Sequence, residues 1–257
     1  LGFWQLSDAL ITAIIGRHIP VNLPAESRIM DAGGGTGRWI TELANIYKSR
    51  FVLYDLSEDM LEQAKININK ANLQERVEII QGDLVDMSAI EDGSIDHIVS
   101  IYSPLSFIDE KEKAIAQLYR KLKKGGVLII MGHGYYNAIA SKVNNYGAPA
   151  EELKTLNSEM QVKWAPYVPT LNIFSKESME LLLEGAGFSS VTTYGVPVFA
   201  QPGPEDFDPT NSQRSRISQA LENPDFFETV FNLEMKHNSR PDVANRGVNI
   251  FSVAKKS

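Results

Sequence analysis

The sequence predicts an α/β protein built on a mostly parallel sheet with helices on both faces. Two observations carry that prediction. Residues 31–37 read Asp31-Ala32-Gly33-Gly34-Gly35-Thr36-Gly37, a glycine-rich turn between the apolar lead-in Arg28-Ile29-Met30 and the helix-like run Arg38-Trp39-Ile40-Thr41-Glu42-Leu43. Downstream, short apolar runs ending on an acid or a glycine alternate with amphipathic stretches, the order of successive strand–helix crossovers. Glycines in the first turn let the backbone take positive φ and let a ligand approach without meeting a Cβ. An α/β sheet receives an adenosine-bearing cofactor at such a turn.

The elements follow in order. Residues 3–18 place Phe3, Leu6, Leu10, Ile11, Ile14 and Ile15 at helical spacing and stop before Pro20, predicting a helix outside the sheet. After the first strand, the run Phe51-Val52-Leu53-Tyr54 ends on Asp55 and passes through Ser57-Glu58-Asp59-Met60 into a helical pattern. A third strand over 77–81 ends at Gly82-Asp83-Leu84, and a fourth over 95–102 opens at Asp96, read as structural. A helix over 111–122 shares Ala114, Ile115, Leu118 and Leu122 on one face, and a fifth strand, 127–131, follows the turn Lys124-Gly125-Gly126. Lys121, Lys123 and Lys124 read as complements to that helix end rather than as an anion site.

Beyond the fifth strand the spacing lengthens. Residues 135–174 precede a helix over 175–184, a sixth strand covers 190–194, and residues 196–247 precede a last strand over 248–254. Stretches 151–160 and 226–236 have helical character, and Pro197, Pro202, Pro204 and Pro209 mark a connection rather than a domain linker. Segments this long in a compact domain are usually lids or carry helices of their own.

Composition narrows the function. A chain of 257 residues suffices for one α/β domain with embellishments. Apolar residues make up 43%, with no run near the roughly 20 residues that span a bilayer. The start, Leu1-Gly2-Phe3-Trp4, lacks a basic leader. A soluble, cytoplasmic protein without a membrane partner is the expectation. A net charge of −7 offers no broad basic field, which disfavours nucleic acid as a partner. The absence of cysteine excludes disulfides, thiolate-held iron–sulfur clusters, cysteine zinc sites and thiol nucleophiles. Methylation of pyrimidine carbons through a covalent cysteine adduct is excluded with them.

The glycine spacing then selects among cofactors. A dinucleotide fingerprint needs glycine at the first, third and sixth positions of the turn. Counted from Gly33, the third position is Gly35 but the sixth is Arg38, so the turn is GxGxG with Asp31 two positions ahead. It resembles the first motif of the class I S-adenosylmethionine-dependent methyltransferases, and Asp55, Asp83, the fourth strand and Gly125-Gly126 follow in that family's order. The resemblance covers about residues 28–194 and the final strand.

That resemblance implies a seven-stranded, Rossmann-like sheet whose last strand runs antiparallel beside the fifth. It implies a single methyltransferase domain over 1–257, with residues 1–20, 135–174 and 196–247 as helical cap or lid insertions over a small-molecule acceptor. The implied cofactor is S-adenosylmethionine, leaving as S-adenosylhomocysteine, with methyl transfer by in-line displacement to an oxygen or nitrogen and no metal. Gly33, Gly35 and Gly37 would line the methionyl and ribose portion, with Asp31 near the amino group, Asp55 on the ribose hydroxyls and Asp83 near adenine. Leu56, Met60 and Leu84 would wall the base, and Ser100 and Ile101 would offer backbone contact to the methionyl group.

The chain departs from the family after the fourth strand. Many small-molecule members carry histidines there, whereas this chain reads Tyr102-Ser103-Pro104-Leu105-Ser106-Phe107. The Asn-Pro-Pro-aromatic signature of base amino methylation is also absent. Tyr102 or Phe107 can instead face a sulfonium or acceptor through cation–π attraction. His133, in Met131-Gly132-His133-Gly134-Tyr135-Tyr136 at the end of the fifth strand, is the candidate general base. Tyr136 is a candidate hydrogen-bonding partner of the acceptor, and Trp164 and Tyr167 are candidate acceptor walls; His18 and His237 have weaker cases.

Each residue also has a plain structural reading. Asp55 can favour a helix dipole, Asp83 can shape a turn, Met60 and Trp164 can be core, and His133 can be structural. Four alternatives stay open: a protein methyltransferase, an RNA methyltransferase, a non-catalytic S-adenosylmethionine-binding protein, and a nicotinamide-dependent oxidoreductase, the last disfavoured by Arg38.

Overall fold

Strand β1 (Arg28–Ala32) runs parallel to two neighbours, β2 (Arg50–Asp55) and β4 (Ile95–Ser100). Ile29 aligns with Phe51 and with His97, and Asp31 with Leu53 and with Val99. Strand β3 (Val77–Gln81) adds beyond β2, and β5 (Leu122–Gly134) beyond β4, giving the parallel order β3-β2-β1-β4-β5. Strands covered on both faces read as continuous apolar runs, and four consecutive residues of β1 and of β2 are buried. This computed structural model describes residues 2–207 and 213–257; Pro209 and part of segment 196–247 lie outside them.

Contacts gather the chain into two compact units. One comprises His18–Met131, Glu180–Val191 and Ser252–Ser257; the other comprises Leu1–Arg17, Gly132–Met179 and Thr192–Phe251. Strand β5 and the last strand, β9 (Asn249–Lys255), each contribute residues to both.

The first unit carries β1 to β4 with helices α2 (Arg38–Ala44), α3 (Glu58–Lys70) and α4 (Lys111–Lys121). Ser57 caps α3 by accepting the Met60 N–H, Glu58 and Asp59 favour its positive end, and Leu61, Ala64 and Ile68 bury one face. Helix α4 buries Ala114, Ile115 and Leu118. Strand β5 begins directly after α4, which corrects the expected turn at Lys124-Gly125-Gly126. Residues 123–126 instead bulge between the pairs Ile95↔Leu122 and His97↔Val127, with Gly125 at φ 78. The Gly125 N–H donates to Lys256 O and the Lys256 N–H to Gly126 O, so β9 holds the bulge. Lys121 lies in the last turn of α4, as the helix-end reading expects, and two of these lysines also make ion pairs: Lys121 reaches Asp92 at 2.7 Å and Lys123 reaches Asp96 at 2.9 Å. Asp96 also accepts the Arg28 N–H at 2.8 Å, in keeping with its structural reading.

In the second unit, α1 (Gly2–His18) buries Phe3, Leu6, Leu10, Ile11, Ile14 and Ile15. Helices α5 (Tyr135–Asn144) and α6 (Ala150–Glu159) precede strands β6 (Gln161–Val162) and β7 (Leu171–Phe174). Helix α7 (Lys176–Gly185) and strand β8 (Ser189–Val196) come next, each straddling the two units. Helices α8 (Arg216–Ala220), α9 (Pro224–His237) and α10 (Pro241–Ala244) complete the described elements before β9. The end of β5 pairs with β7 through His133↔Ile173, and β7 pairs antiparallel with β6. The Gly134 N–H donates to Val248 O, so pairing partners fall from 256 to 248 as β5 climbs: β9 is antiparallel to β5. It also pairs with β8.

The described sheet therefore has nine strands rather than seven. It remains mostly parallel, and the two additional strands, β6 and β7, fall inside the segment expected to be an insertion. Glu234, buried on α9, accepts the Val198, Phe199 and Ala200 N–H groups at 2.7 to 2.8 Å, which fixes the chain after β8. No helix among the described residues is long and apolar enough to cross a membrane.

Ile129, fully buried and aligned with Val99, tests the importance of the central pairing. Ile129→Ala should cost about 2 to 5 kcal/mol in urea denaturation, with the midpoint falling at unchanged slope.

Candidate cofactor site

Every residue of the glycine turn and of the β1, β2, β3 and β4 ends belongs to the first unit. The turn is tied to β2: Gly33 N–H donates to Tyr54 O at 2.7 Å, and Gly35 N–H donates to Asp55 Oδ2 at 2.8 Å. The other Asp55 oxygen, Oδ1, accepts the Ser57 N–H at 2.9 Å. One carboxylate thus joins the glycine turn to the start of α3. A second tie comes from the far part of α3, where Asn67 Nδ2 donates to Thr36 O at 3.0 Å and Gln63 steadies Asn67.

Gly33, Gly35 and Gly37 have φ of 74°, 52° and 73°, the left-handed region that side chains disfavour. Two of them differ in what surrounds them. A Cβ on Gly33 would sit 2.7 Å from Pro104 Cγ, whereas one on Gly35 would meet nothing within 4 Å. A side chain at Gly35 would therefore occupy open space in front of the turn. Gly34 is closed from behind, since its Cβ would fall 2.6 Å from Asp31 Oδ2.

Asp31 is buried at the end of β1, and its Oδ2 has no hydrogen-bond partner among the described residues. Burial first, and the nearby Asp55 charge second, raise its pKa to about 7. A buried carboxylate with an unanswered oxygen calls for a cation. An ammonium group meets that need, and together with the open face at Gly35 it makes these residues fit the amino-acid end of an adenosyl cofactor.

Asp83 follows β3, where the Gly82 N–H donates to Asp55 O at 2.9 Å. Its Oδ1 accepts the Val85 N–H at 3.0 Å, so part of this side chain shapes its own turn. Leu56 and Met60 expose 63% and 48% of their surface beside Asp55, which removes the reading of Met60 as core. Leu84 is buried and comes within 3.9 Å of a Cβ placed on Gly33. Ser100 donates its hydroxyl to Ala32 O at 2.8 Å, bridging β1 and β4, and Ile101 is buried.

The proposed aromatic and acid–base residues divide. Tyr102 already carries a cation: the Arg38 guanidinium lies 5.6 Å from its ring centroid. Phe107, ending a short 3-10 turn, is 57% exposed. In the second unit, Trp164 packs on a core of Ala138, Leu156, Val162, Leu171 and Ile173, with Lys142 Nζ 5.6 Å from its ring. Tyr167 is 89% exposed and Tyr136 half exposed. His133 lies at the end of β5, where burial lowers its pKa to about 4. It is neutral at pH 7 and a weak base. His237 lies edge-on to Phe199.

The sequence reading missed Tyr54, Asn67 and Arg38. Tyr54 donates its hydroxyl to Asp83 O and Asp86 O, both at 3.2 Å, and so joins β2 to the β3 turn. Its signal was position, one residue before the acid that ends β2. Arg38 stood in view as the residue breaking the dinucleotide pattern. Asn67 gave no signal.

Comparison with known proteins decides the family. A family model described as a methyltransferase domain matches residues 29–126, the span from β1 to the β5 bulge. The matched residues, 29–126, form a class I S-adenosylmethionine-dependent methyltransferase domain. Among its relatives, a tRNA 5-carboxymethoxyuridine methyltransferase of Escherichia coli O157:H7 is 25% identical over 205 residues, covering 76% of this chain and 72% of that one. A demethylmenaquinone methyltransferase of Leptospira interrogans is 28% identical over 188 residues, covering 68% and 72%. In fold, the methyltransferase resembles geranyl diphosphate C-methyltransferase from Streptomyces coelicolor A3(2), solved with S-adenosyl-L-homocysteine. The TM-score is 0.61 at 14% identity, over 97% of this chain and 79% of that one.

If Asp31 pairs with the ammonium group of the cofactor, cofactor affinity depends on pH. An ammonium paired with Asp31 favours the ionised acid, so the liganded pKa lies below the free value of about 7. Binding then releases a proton below that value. Affinity for S-adenosylhomocysteine should fall as pH drops through 7, approaching about tenfold per unit, and Asp31→Asn should flatten the dependence. Calorimetry across this range checks it.

Proposed function

We propose that this methyltransferase acts on an oxygen or nitrogen of a small-molecule acceptor. The observation that carries the reading is charge. The net charge is −7, and four lysines are paired with acids: Lys121 with Asp92, Lys123 with Asp96, Lys142 with Glu152 and Lys154 with Glu151. A tRNA acceptor would need a basic stripe to neutralise its phosphates. The tRNA activity of the Escherichia coli relative is therefore not carried over.

Within this reading, Asp31 holds the cofactor's ammonium group, and Gly33, Gly35 and Gly37 line its methionyl and ribose part. Asp55 takes the ribose hydroxyls, Asp83 the adenine amino group, and Leu56, Met60 and Leu84 flank the base. Ser100 and Ile101 contribute backbone. The open face at Gly35 and the unanswered Asp31 oxygen support these assignments. When bound, S-adenosylmethionine supplies a methyl group on a positively charged sulfur that departs without further activation. The chain then has to orient the acceptor, exclude water and receive at most one proton.

His133 and Tyr136 are assigned to the acceptor. A neutral imidazole with a pKa of about 4 accepts a hydrogen bond but removes a proton poorly from an aliphatic alcohol. Phenolic or carboxylic oxygens, or amines already neutral, suit it better. Phe107 and Tyr167 have aromatic surface to offer an acceptor, whereas Tyr102 and Trp164 have theirs engaged by Arg38 and Lys142.

Transfer of labelled methyl from S-adenosylmethionine to a panel of phenols, acids and amines, with tRNA and basic protein alongside, tests the acceptor class. Label in small molecules is the expected result; label confined to tRNA or protein overturns the reading. Asp55→Ala should weaken cofactor binding by about 1 to 3 kcal/mol in calorimetry. His133→Ala should lower turnover while leaving that affinity intact. With cofactor and acceptor saturating, so that Asp31 does not enter, the wild-type turnover should show no ionisation near the ordinary histidine value, because burial lowers the His133 pKa to about 4.

A further inference from the structure

We propose that helix α9 is a self-association surface on which a second copy of this chain pairs antiparallel with the first. The surface lies within one compact unit, and the proposal is independent of the cofactor and acceptor assignments. Helix α9 turns the face through Phe227, Phe231, Glu234 and Asn238 inward. Glu234 and Asn238 are fully buried on it, and Glu234 holds the backbone of residues 198–200.

A second stripe is left over. Phe226, Val230, Leu233 and His237 recur at intervals of four, three and four residues, the spacing of a two-stranded coiled-coil seam. Phe226 and Leu233 expose 40% and 47% of their surface, so the described residues leave the stripe uncovered. Single apolar side chains in water are ordinary, but a row at seam spacing marks a surface that packs against another helix.

Charge selects a second copy of the same helix as the occupant. Asp225 in the first turn and Lys236 in the last are exposed, have no ion-pair partner among the described residues, and lie on the same flank, about 90° round the helix from the seam. An antiparallel pair brings like flanks together with their ends reversed, so Asp225 of each copy meets Lys236 of the other. A parallel pair would set the two acids level with each other. The seam has the matching symmetry, since its midpoint falls between Val230 and Leu233. A two-fold axis there stacks Val230 on Leu233 of the second copy and Phe226 on its His237. At that end Phe199, also exposed, lies edge-on to His237 with ring centroids 5.9 Å apart, which widens the aromatic surface that receives the incoming Phe226.

Sedimentation velocity on the full chain from about 1 to 200 μM tests the pairing, the range in which an interface of this small size associates. The wild-type protein should pass from monomer to dimer across it, and Leu233→Glu should raise the dimer Kd at least about tenfold while far-UV circular dichroism stays unchanged. Asp225→Lys and Lys236→Asp should each weaken the dimer, and the double exchange should restore it. Both exchanges oppose the helix dipole, so recovery in the double variant reports the contact between copies and not helix stability. A wild-type protein that stays monomeric throughout overturns the proposal, as does a dimer indifferent to Leu233→Glu or a double exchange that fails to restore pairing. Should Leu233→Glu fail to fold, the exchange of the two exposed charges decides alone.

Discussion

The Asp55 carboxylate is the interaction on which the site depends. With one oxygen on the Gly35 N–H and the other on the Ser57 N–H, it sets the height of the glycine turn above β2 and the entry of α3 at once. Charge-assisted bonds of this kind are stronger than neutral ones and directional. Both Asp55 oxygens already accept a backbone donor, and a carboxylate has further lone pairs for a ligand. Holding the backbone and receiving a ligand are therefore compatible in one side chain. Asn67, from the far part of α3, bears on the same turn at Thr36, so the turn is held by Asp55 at residue 35 and by the helix at residue 36.

Charge in the first unit is arranged by depth. Asp31 lies fully buried with one oxygen unanswered, whereas Asp55 is partly exposed and engaged. Their proximity raises the Asp31 pKa beyond what burial alone does. Two other acids of this unit at least partly shielded by the chain are matched within it: Asp92 meets Lys121 and Arg120, and Asp96 meets Lys123 and the Arg28 amide. A carboxylate that burial pushes up to about 7 and that has an oxygen with no partner stands out against that background, which is the pattern expected where a ligand supplies the missing charge.

Much of this was legible in the sequence, for definite reasons. Strands covered on both faces leave continuous apolar runs, so β1, β2 and β4 could be read to within two residues. The glycine turn was legible because positive φ restricts composition. Strands β6 and β7 were not, since two and four residues are too short for a period to emerge. The start of β5 was misread because Gly125 and Gly126 mark a bulge within a strand as readily as a turn before one. Burial of His133 and the engagement of Tyr102 and Trp164 depend on what packs against them, which no local pattern encodes. Arg38 was visible only as an exception to another family's motif; its place over Tyr102 needs the left-handed backbone at 102 and 103.

The closeness of Gly34 to Asp31 has an evolutionary consequence. Because a methyl at position 34 would fall 2.6 Å from Asp31 Oδ2, the two positions cannot drift independently. A lineage that first replaced Gly34 would push the buried carboxylate out of place, while room for a side chain at 34 needs both a shorter residue 31 and a shift of Leu53 Cδ1, which also stands in its way. The order of substitutions, not only their identity, is thus constrained. Such a pair is a source of epistasis at the floor of the site, where a change tolerated in one background is damaging in another.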